Sequence, residues 1–371
     1  MRIIVLGGCG DMGSYVVRDL IAFSDAEVVI ADYRLERAQQ MAAELGDRAQ
    51  AVFVDAEDAD MLVRVLEGAD AAVGCIGPFY YFAPKLTRAA IRARVPYVDI
   101  CDDWGPIDEL RGMDSQAKEA GVTVINGLGW TPGITNLMAK KGAAQLDEVD
   151  EVRIYWGGGA ADSEGLAVVM HVFYAITGEV PTFRDGQRVM VPAGSEKEWV
   201  EFPAPLGRVE VYHCGHPEPL TIPRTIPART VFLKGGLTPR WNNSLGALLV
   251  RLGLSRSHRS IVRTSRLIHR LEGLIGAGGV PFSGARVDVV GRKGGEPQTV
   301  RYATVDKMGR LTGIPAAIGA VMLARREVDT PGVFAPEEVL EPDPFFAQLE
   351  KRGIRIHESR FTDYAGPPFR R

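Results

Sequence analysis

Short apolar stretches alternate with amphipathic stretches through the first 126 residues of the chain. Short apolar runs are typical of buried strands. Stretches in which apolar residues recur about every 3.6 positions are typical of helices. The predicted strands are RIIVL (2–6), EVVIA (27–31), AVFV (51–54), ADAAVGCI (69–76), PYVDI (96–100) and VTVI (122–125). The predicted helices begin at Ser14 and Leu35 and then cover DADMLVRVLEG, APKLTRAAIRAR and IDELRGMDSQAKEAG. This alternation predicts a parallel sheet covered on both faces, for which right-handed crossovers make the Rossmann arrangement the simplest topology.

The alternation of strands and helices stops after Gln145. EVRIYWGG (151–158) is predicted to be a strand and EGLAVVMHVFYAITG (164–178) an amphipathic helix. A period of two predicts four strands of a half-exposed sheet, QRVMVPAG, EWVEFP, RVEVYHCG and RTVFLKGG. Further along, residues 240–277 predict helices, ARVDVVGRKGG and QTVRYATV a hairpin, and PAAIGAVMLARRE a helix. Segregated strands and helices predict an α+β domain, and the last residues, YAGPPFRR, are expected to fray.

Composition narrows the class of protein. The hydrophobic content of 46% and the charged content of 24% are ordinary for a globular protein. A chain of 371 residues is long for one hydrophobic core, so we expect two domains. The net charge of −4 provides no reason to expect nucleic acid or a membrane as a partner. The four cysteines form no close pair and no metal-like spacing, so we expect no metal site and a cytoplasmic location. MRIIVLGG is too short for a signal peptide, and GIPAAIGAVMLA (313–324) is shorter than the ~20 residues of a membrane span.

The turn after the first strand contains the pattern G-x-G-x-x-G, from Gly8 to Gly13. Gly8 would permit the tight turn, Gly10 would let backbone amides approach a pyrophosphate, and Gly13 would let the helix pack on the strand. Asp32 ends the second strand, where a carboxylate could bind ribose hydroxyls and repel a 2′-phosphate. This favours NAD, while the neighbouring Arg34 leaves NADP possible. A glycine turn without a ligand is the alternative, and it fits this context less well.

Residues after the third and fourth strands complete the predicted cofactor site. Asp55 could bond the adenine amino group, although a helix N-cap is an equal alternative. Gly77 would allow close approach to the nicotinamide half. The aromatic residues 79–82 that follow could line a substrate cleft or pack at a domain interface. The predicted cofactor-binding residues are Gly8, Cys9, Gly10, Asp11, Met12, Gly13, Asp32, Tyr33, Arg34, Asp55, Ala56, Cys75, Ile76, Gly77 and Pro132.

A second glycine-rich stretch, NGLGWTPGITNLMA (126–139), ends the sixth predicted strand. Pro132 is suited to the first position of a helix whose N-terminal amides would face the nicotinamide and the substrate. Gly127 and Gly129 permit the backbone angles of a hinge, which would let two domains close over a substrate. An ordinary connector between domains is the alternative.

Several segments together resemble the saccharopine dehydrogenase and lysine 6-dehydrogenase family. They are GGCGDMG, GPFYYFAPKLTRAAI, PYVDICDDW, GLGWTPGITNLMA, GHPEPLTIPR and the run over residues 311–354. The resemblance implies a Rossmann domain (1–130), an inserted α+β substrate and dimerisation domain (131–308), and a C-terminal segment (309–371) that returns to the first domain. It also implies a homodimer. Thr131 stands where glutamate-forming saccharopine reductases typically have an acidic residue, so saccharopine itself is not the expected substrate.

The activity that this resemblance implies is NAD(P)-dependent oxidation or reduction at a C–N bond of an amino acid or polyamine. Such a reaction needs an unprotonated amine, an acid–base group and an anchor for the substrate carboxylate. The predicted catalytic residues are Asp102, His216 and Lys85. The predicted substrate-binding residues are Tyr80, Asp99, Asp103, Thr131, Glu218 and Arg224. A helix cap, a surface ion pair or a structural turn is the alternative for most of them, and His171 is more typical of a core histidine.

Three functions remain open at this point. The first is an amino-acid or polyamine dehydrogenase, the second a reductive condensation like that of carboxynorspermidine dehydrogenase, and the third a non-catalytic dinucleotide sensor. The expected partner is therefore a small amine or amino acid. The arginine-rich stretch RLGLSRSHRSIVRTSRLIHRLEG could contact a membrane or a partner, but the solvated face of a domain helix is favoured in an acidic chain.

Overall fold

The computed structural model describes residues 1–162, 165–255, 257–275 and 279–362. The chain divides into two compact units. Unit 1 contains Met1–Gly133 and Gly309–Leu340, and unit 2 contains Ile134–Met308 and the chain from Glu341 onward. The segment YAGPPFRR, expected to fray, lies outside the described residues.

Sixteen strands are present among the described residues. They are β1 (Arg2–Leu6), β2 (Glu27–Asp32), β3 (Ala49–Phe53), β4 (Ala71–Gly74), β5 (Tyr97–Asp99), β6 (Thr123–Ile125), β7 (Glu148–Gly159), β8 (Glu179–Arg184), β9 (Gln187–Pro192), β10 (Glu198–Glu201), β11 (Arg208–His213), β12 (Thr230–Thr238), β13 (Ser283–Lys293), β14 (Glu296–Asp306), β15 (Gly332–Phe334) and β16 (His357–Phe361).

Fourteen α-helices lie between these strands in the same described ranges. They are α1 (Asp11–Phe23), α2 (Leu35–Leu45), α3 (Ala59–Leu66), α4 (Phe79–Ala93), α5 (Ile107–Arg111), α6 (Asp114–Ala120), α7 (Ile134–Ala143), α8 (Leu166–Ala175), α9 (Glu218–Thr221), α10 (Trp241–Arg251), α11 (His258–Ile275), α12 (Met308–Ala324), α13 (Pro336–Val339) and α14 (Pro342–Lys351). None of the helices in the described part of the chain is long and apolar enough to cross a membrane.

Unit 1 is built on a seven-stranded sheet of order β15-β6-β5-β4-β1-β2-β3, and every neighbouring pair is parallel. Residues Ile3–Leu6 of β1 are completely buried, as a strand covered on both faces requires. The predicted Rossmann arrangement is therefore confirmed. Because β1 lies between β4 and β2, the order reverses beside it, which is where a doubly wound sheet binds its ligand.

The seventh strand and some helix ends differ from the sequence prediction. β15 pairs with β6 through Gly332 and Thr123, but its three residues are too few for a recognisable apolar run. α4 begins at Phe79, so the aromatic cluster forms its first turn instead of preceding it. The single helix predicted over IDELRGMDSQAKEAG is divided into α5 and α6, with Gly112 between them.

Unit 2 contains a mixed nine-stranded sheet with the main order β10-β11-β12-β7-β13-β14-β16. β12 and β7 are parallel, whereas the other neighbours are antiparallel, and the hairpin β8–β9 attaches to β12. The predicted α+β class of this part is confirmed. Its sheet buries a charged cluster in which Asp288 accepts hydrogen bonds from Arg301 at 2.8 Å and Arg286 at 2.9 Å. Although burial raises the pKa of Asp288, the two guanidinium groups hold it below its usual range.

Candidate functional site

The glycine turn after β1 brings helix α1 directly onto the strand. Gly7 has φ of +80°, its N–H donates to Ala31 at 2.7 Å, and its carbonyl accepts from Gly10 at 3.0 Å. A Cβ on Gly13 would lie 2.2 Å from the Gly7 oxygen, so a residue other than glycine does not fit there. The tight turn predicted for Gly8 therefore depends on Gly7, which precedes the motif and was missed in the sequence analysis.

Asp32 lies at the end of β2, beside this turn. The carboxylate is buried, and it accepts hydrogen bonds from the N–H of Cys9 at 3.3 Å and the N–H of Arg34 at 3.0 Å. The Arg34 guanidinium is half-exposed, lies 3.5 Å from Asp32 and donates to the Cys9 carbonyl at 3.4 Å. Burial and the neighbouring Asp32 raise the pKa of Cys9 to about 11, so its thiol remains protonated at neutral pH. A carboxylate and a guanidinium thus share the end of this strand.

Aromatic and acidic residues continue this edge at β2 and β3. The exposed Tyr33 ring lies 5.5 Å from the Phe53 ring, measured between centroids. The Asp55 carboxylate accepts from the N–H of Glu57 at 2.9 Å. The N-cap of α3 is Asp58, whose side chain accepts from the first helical turn, so the cap considered for Asp55 is formed by Asp58. Asp55 stays a predicted adenine contact.

These residues fit a pyrophosphate-linked dinucleotide. The 13-residue helix α1 begins at Asp11, and its N-cap residue, Gly10, makes no side-chain cap hydrogen bond. The loop after β4 approaches this turn so closely that a Cβ on Gly7 would lie 3.0 Å from the Cys75 carbonyl oxygen. Desolvation and the charge of Asp99 raise the pKa of Cys75 well above its usual range. Ala56, Ile76 and Gly77 are buried or half-buried in the same unit.

Asp99 joins the ends of β5 and β6. Its Oδ1 accepts from the N–H of Gly127 at 2.8 Å and of Cys101 at 3.1 Å, and its Oδ2 accepts from the Asn126 amide at 2.7 Å. Burial raises the pKa of Asp99 to about 6, although these hydrogen bonds act to lower it. Both carboxylate oxygens of Asp99 therefore accept hydrogen bonds from the protein itself. This supports a structural role for Asp99, which was predicted to contact the substrate.

The other acidic residues of this segment lie beside α4. Asp103 is completely buried and accepts from the N–H of Tyr80 at 2.7 Å. Burial and Asp103 raise the pKa of the Tyr80 hydroxyl to about 12. Asp102 is half-buried. Unit 1 therefore brings Asp103 and Tyr80 together, and the roles of Asp102, Asp103 and Tyr80 stay predictions.

Lys85 occupies a different environment from that of a catalytic base. Its ammonium lies 2.5 Å from the Glu57 carboxylate and 3.9 Å from the centre of the Tyr81 ring. Burial lowers the pKa of Lys85, but the hydrogen bonds with Glu57 and Tyr81 outweigh this and raise it. A base at neutral pH needs the opposite shift, so we leave Lys85 out of the mechanism.

The second glycine turn is closed on itself. Gly127 has φ of +79°, and a Cβ there would lie 2.7 Å from the Pro132 ring. Gly129 donates to the Pro132 carbonyl at 2.9 Å, and a Cβ on Gly133 would lie 2.2 Å from the Gly129 oxygen. Thr131 is buried, and helix α7 begins at Ile134 instead of Pro132. Thr131 and Pro132 thus belong to a compact turn that precedes the helix.

Unit 2 buries a cluster of titratable side chains around His216. The Nε2 atoms of His216 and His171 are 3.3 Å apart, and Nδ1 of His216 lies 3.8 Å from Oε2 of Glu218. Glu218 is completely buried, and its Oε1 accepts from the Thr135 hydroxyl at 2.9 Å. A buried carboxylate next to an imidazole stabilises the imidazolium form. The cluster therefore brings two imidazoles and a carboxylate together in the interior of unit 2.

The sequence analysis missed part of this cluster. His171 is buried, as predicted, but its ring also contacts His216, which a helical pattern does not reveal. Thr135 and Asn136 lie in the first turn of α7, and Asn136 donates to the Thr221 hydroxyl of α9 at 3.2 Å. Two adjacent polar residues at a predicted helix start were the available signal. Arg224 is exposed in a 3₁₀ turn after α9.

Comparisons with known proteins agree with the fold of both units. The family model described as the saccharopine dehydrogenase NADP binding domain matches residues 3–125, and that of the saccharopine dehydrogenase C-terminal domain matches residues 129–354. The crystal structure of apo saccharopine dehydrogenase (L-Glu forming) from Saccharomyces cerevisiae is similar in fold. It has a TM-score of 0.72 at 20% identity, with 97% of this chain and 99% of that chain covered.

Two curated relatives extend over most of the chain. Carboxynorspermidine synthase of Vibrio alginolyticus is 24% identical, with 83% of this chain and 82% of the relative covered. Carboxyaminopropylagmatine dehydrogenase of Synechocystis is also 24% identical, with 96% of this chain and 98% of the relative covered.

Proposed function

The chain belongs to the saccharopine dehydrogenase family and is an NAD(P)-binding oxidoreductase of that type, and we propose that it acts on a C–N bond of a carboxylated polyamine or amino acid. The observation that carries the proposal is the buried His216–Glu218 pair, in a chain whose other unit has a dinucleotide turn. The name of one relative, carboxynorspermidine synthase, favours the direction in which an amine and a carbonyl compound are joined and reduced. Oxidation of a lysine-like amine is the second candidate, favoured by Thr131 before Pro132.

The residues from Gly8 to Gly13 would hold the pyrophosphate, and Asp32 the adenosine ribose. When bound, the nicotinamide ring supplies or accepts the hydride. Tyr33, Asp55 and Pro132 remain predicted contacts of the same molecule. We infer that Arg34 decides between the two coenzymes, because its guanidinium can turn from Asp32 to a 2′-phosphate without leaving the strand end.

His216 would act as the acid–base residue of the cluster. Condensation of an amine with a carbonyl compound releases water, and the departing hydroxyl must receive a proton. His216 can donate it, and Glu218 stabilises the imidazolium that holds it beforehand. In the reverse direction, the same imidazole accepts a proton from the amine, because an ammonium has no lone pair to support hydride loss.

Substrate orientation is assigned to the remaining predicted residues. A carboxylate on the substrate matches the guanidinium of Arg224 in charge and geometry. Tyr80, Asp103 and Thr131 would contact the polar parts of the substrate, and Asp102 is the second acid–base candidate. Single substitutions can test each of these proposed roles separately.

The coenzyme assignment is tested by calorimetric titration of the purified chain with NAD and with NADP. Arg34→Ala is expected to weaken NADP binding about tenfold or more while NAD binding changes less, since one charge-assisted contact is lost. Arg355→Ala removes an exposed arginine elsewhere and serves as the control. Equal losses for both coenzymes would refute the role of Arg34.

The reaction is tested by following reduced-nicotinamide absorbance with a panel of polyamines and amino acids, alone and with carboxylated aldehydes. His216→Gln is expected to lower kcat about 10²-fold or more without changing coenzyme affinity. His357→Gln alters an exposed histidine of β16 and should leave kcat unchanged. Coenzyme binding without turnover on the whole panel would favour the dinucleotide sensor instead.

A further inference from the structure

Helix α10 exposes an apolar stripe. The stripe consists of Trp241, Leu245, Leu248 and Leu252, whose exposed fractions are 50%, 40%, 53% and 65%. The spacing of four, three and four residues places them along one side of the helix. Leu267 on α11 is 60% exposed as well. Large side chains this exposed usually mark a contact surface when they are contiguous.

The same helix pair concentrates positive charge. Residues 240–275 include seven arginines and one glutamate, a net charge of +6, so the rest of the chain carries −10. Arg259, Arg263 and Arg266 are exposed on α11 at positions i, i+4 and i+7. They lie opposite the buried side of that helix, which includes Ile261 and Ser265. Leu249 of α10 and Ile261 of α11 pack in the same apolar cluster with α8, so the stripe and the row of arginines belong to neighbouring helices.

The apolar surface continues beneath α10. Leu245 is exposed and also lines a cavity of about 90 Å³ together with Val168, Val172, Phe173 and Leu249. Val168, Val172 and Phe173 belong to helix α8. The stripe on α10 therefore lies over an apolar layer formed by α8.

We propose that the α10–α11 face docks on the surface of an anionic lipid bilayer. Tryptophan and leucine side chains would enter the boundary between headgroups and acyl chains, and the arginines would pair with phosphates. A second copy is a poorer occupant, because a two-fold contact places this arginine-rich patch against itself. The net charge of the whole chain argued against a membrane partner, but it averages over a locally basic surface.

The test is flotation of the full chain with vesicles of phosphatidylcholine alone and of phosphatidylcholine containing 30% phosphatidylglycerol. Binding is expected only to the anionic vesicles, and it should weaken steeply as salt is raised. Leu248→Ser with Leu252→Ser should weaken binding about tenfold or more, since two exposed apolar anchors are lost. Arg259→Gln and Arg263→Gln should each weaken it about fivefold.

Two controls keep the outcome interpretable. Trp199→Ser removes an equally exposed aromatic residue from β10, and Arg355→Gln removes an arginine outside the patch; neither should alter flotation. Coenzyme affinity and melting temperature should be unchanged in every variant. Failure of the native chain to bind anionic vesicles at low salt would overturn the proposal. So would loss of a dimer, measured by light scattering, when the leucines are replaced and vesicle binding is absent.

Discussion

Replacement of Gly13 by alanine tests the contact between α1 and β1. The new Cβ would lie 2.2 Å from the Gly7 oxygen and 2.9 Å from the Gly8 Cα. Both neighbours are backbone atoms, so no side-chain rotation can make room. Helix and strand must therefore separate by about 1 Å to reach ordinary contact distance.

Two opposing effects set the size of the change. Overpacking of this kind costs about 1–3 kcal/mol, whereas alanine favours a helix over glycine by about 1 kcal/mol. A 2.2 Å contact with a backbone oxygen belongs in the upper part of the steric range, so we expect Gly13→Ala to lower the free energy of unfolding by about 1–2 kcal/mol. The melting temperature of a unit of this size should then fall by about 2–8 °C. Displacement of the first-turn amides should also weaken dinucleotide binding about tenfold.

Differential scanning calorimetry measures the first effect, and fluorescence titration with the reduced coenzymes measures the second. Gly112→Ala is the matched control, because a Cβ between α5 and α6 would lie no closer than 3.2 Å to any neighbouring atom. If Gly13→Ala melts at or above the native temperature and binds coenzyme normally, the close approach of α1 and β1 is refuted.

Three further changes examine other parts of the molecule. The raised pKa of Asp99 means that the native state holds a proton which the unfolded state loses between about pH 4 and 6, so stability falls as pH rises through this window. Between pH 4 and 7, the free energy of unfolding measured by urea denaturation should fall by about 3 kcal/mol less in Asp99→Asn than in the native chain. An equal fall in both proteins would contradict the raised pKa of Asp99. Arg301→Ala should destabilise unit 2 by about 3 kcal/mol because Asp288 loses a buried partner. Replacing the whole cluster, Arg301→Met with Asp288→Leu and Arg286→Met, should recover most of this loss because no charge is then left unpaired. A negligible effect of Arg301→Ala in thermal denaturation would exclude the buried pair. Gly235→Ala would place a Cβ 1.9 Å from the Trp156 indole, so the indole must move, which tryptophan fluorescence should report; an unchanged spectrum would disprove this packing.

Much of unit 1 was predictable because its determinants are local. Buried parallel strands are short continuous apolar runs, and a dinucleotide turn needs glycines at fixed spacing, so both features are legible in the order of residues. The positions of Asp32 and Arg34 followed from strand ends for the same reason. The contribution of Gly7 was missed because the spacing does not reveal which glycine takes a positive φ.

The histidine cluster of unit 2 has a different origin. His171, His216 and Thr135 come from three helical or loop segments separated by up to 81 positions, and no periodicity connects them. Asp99 likewise looked like a substrate ligand until both its oxygens were seen to hold the neighbouring strand end.

Local patterns in this chain therefore specify which segments become strands or helices and where a coenzyme can bind, since those depend on neighbours a few residues apart. Other features depend on long-range packing. They include which polar side chains contact each other, whether a carboxylate forms its hydrogen bonds within the fold, and which leucines are exposed to solvent. Packing of that kind is settled by burial and steric fit among segments distant along the chain, and for this reason it appears only in three dimensions.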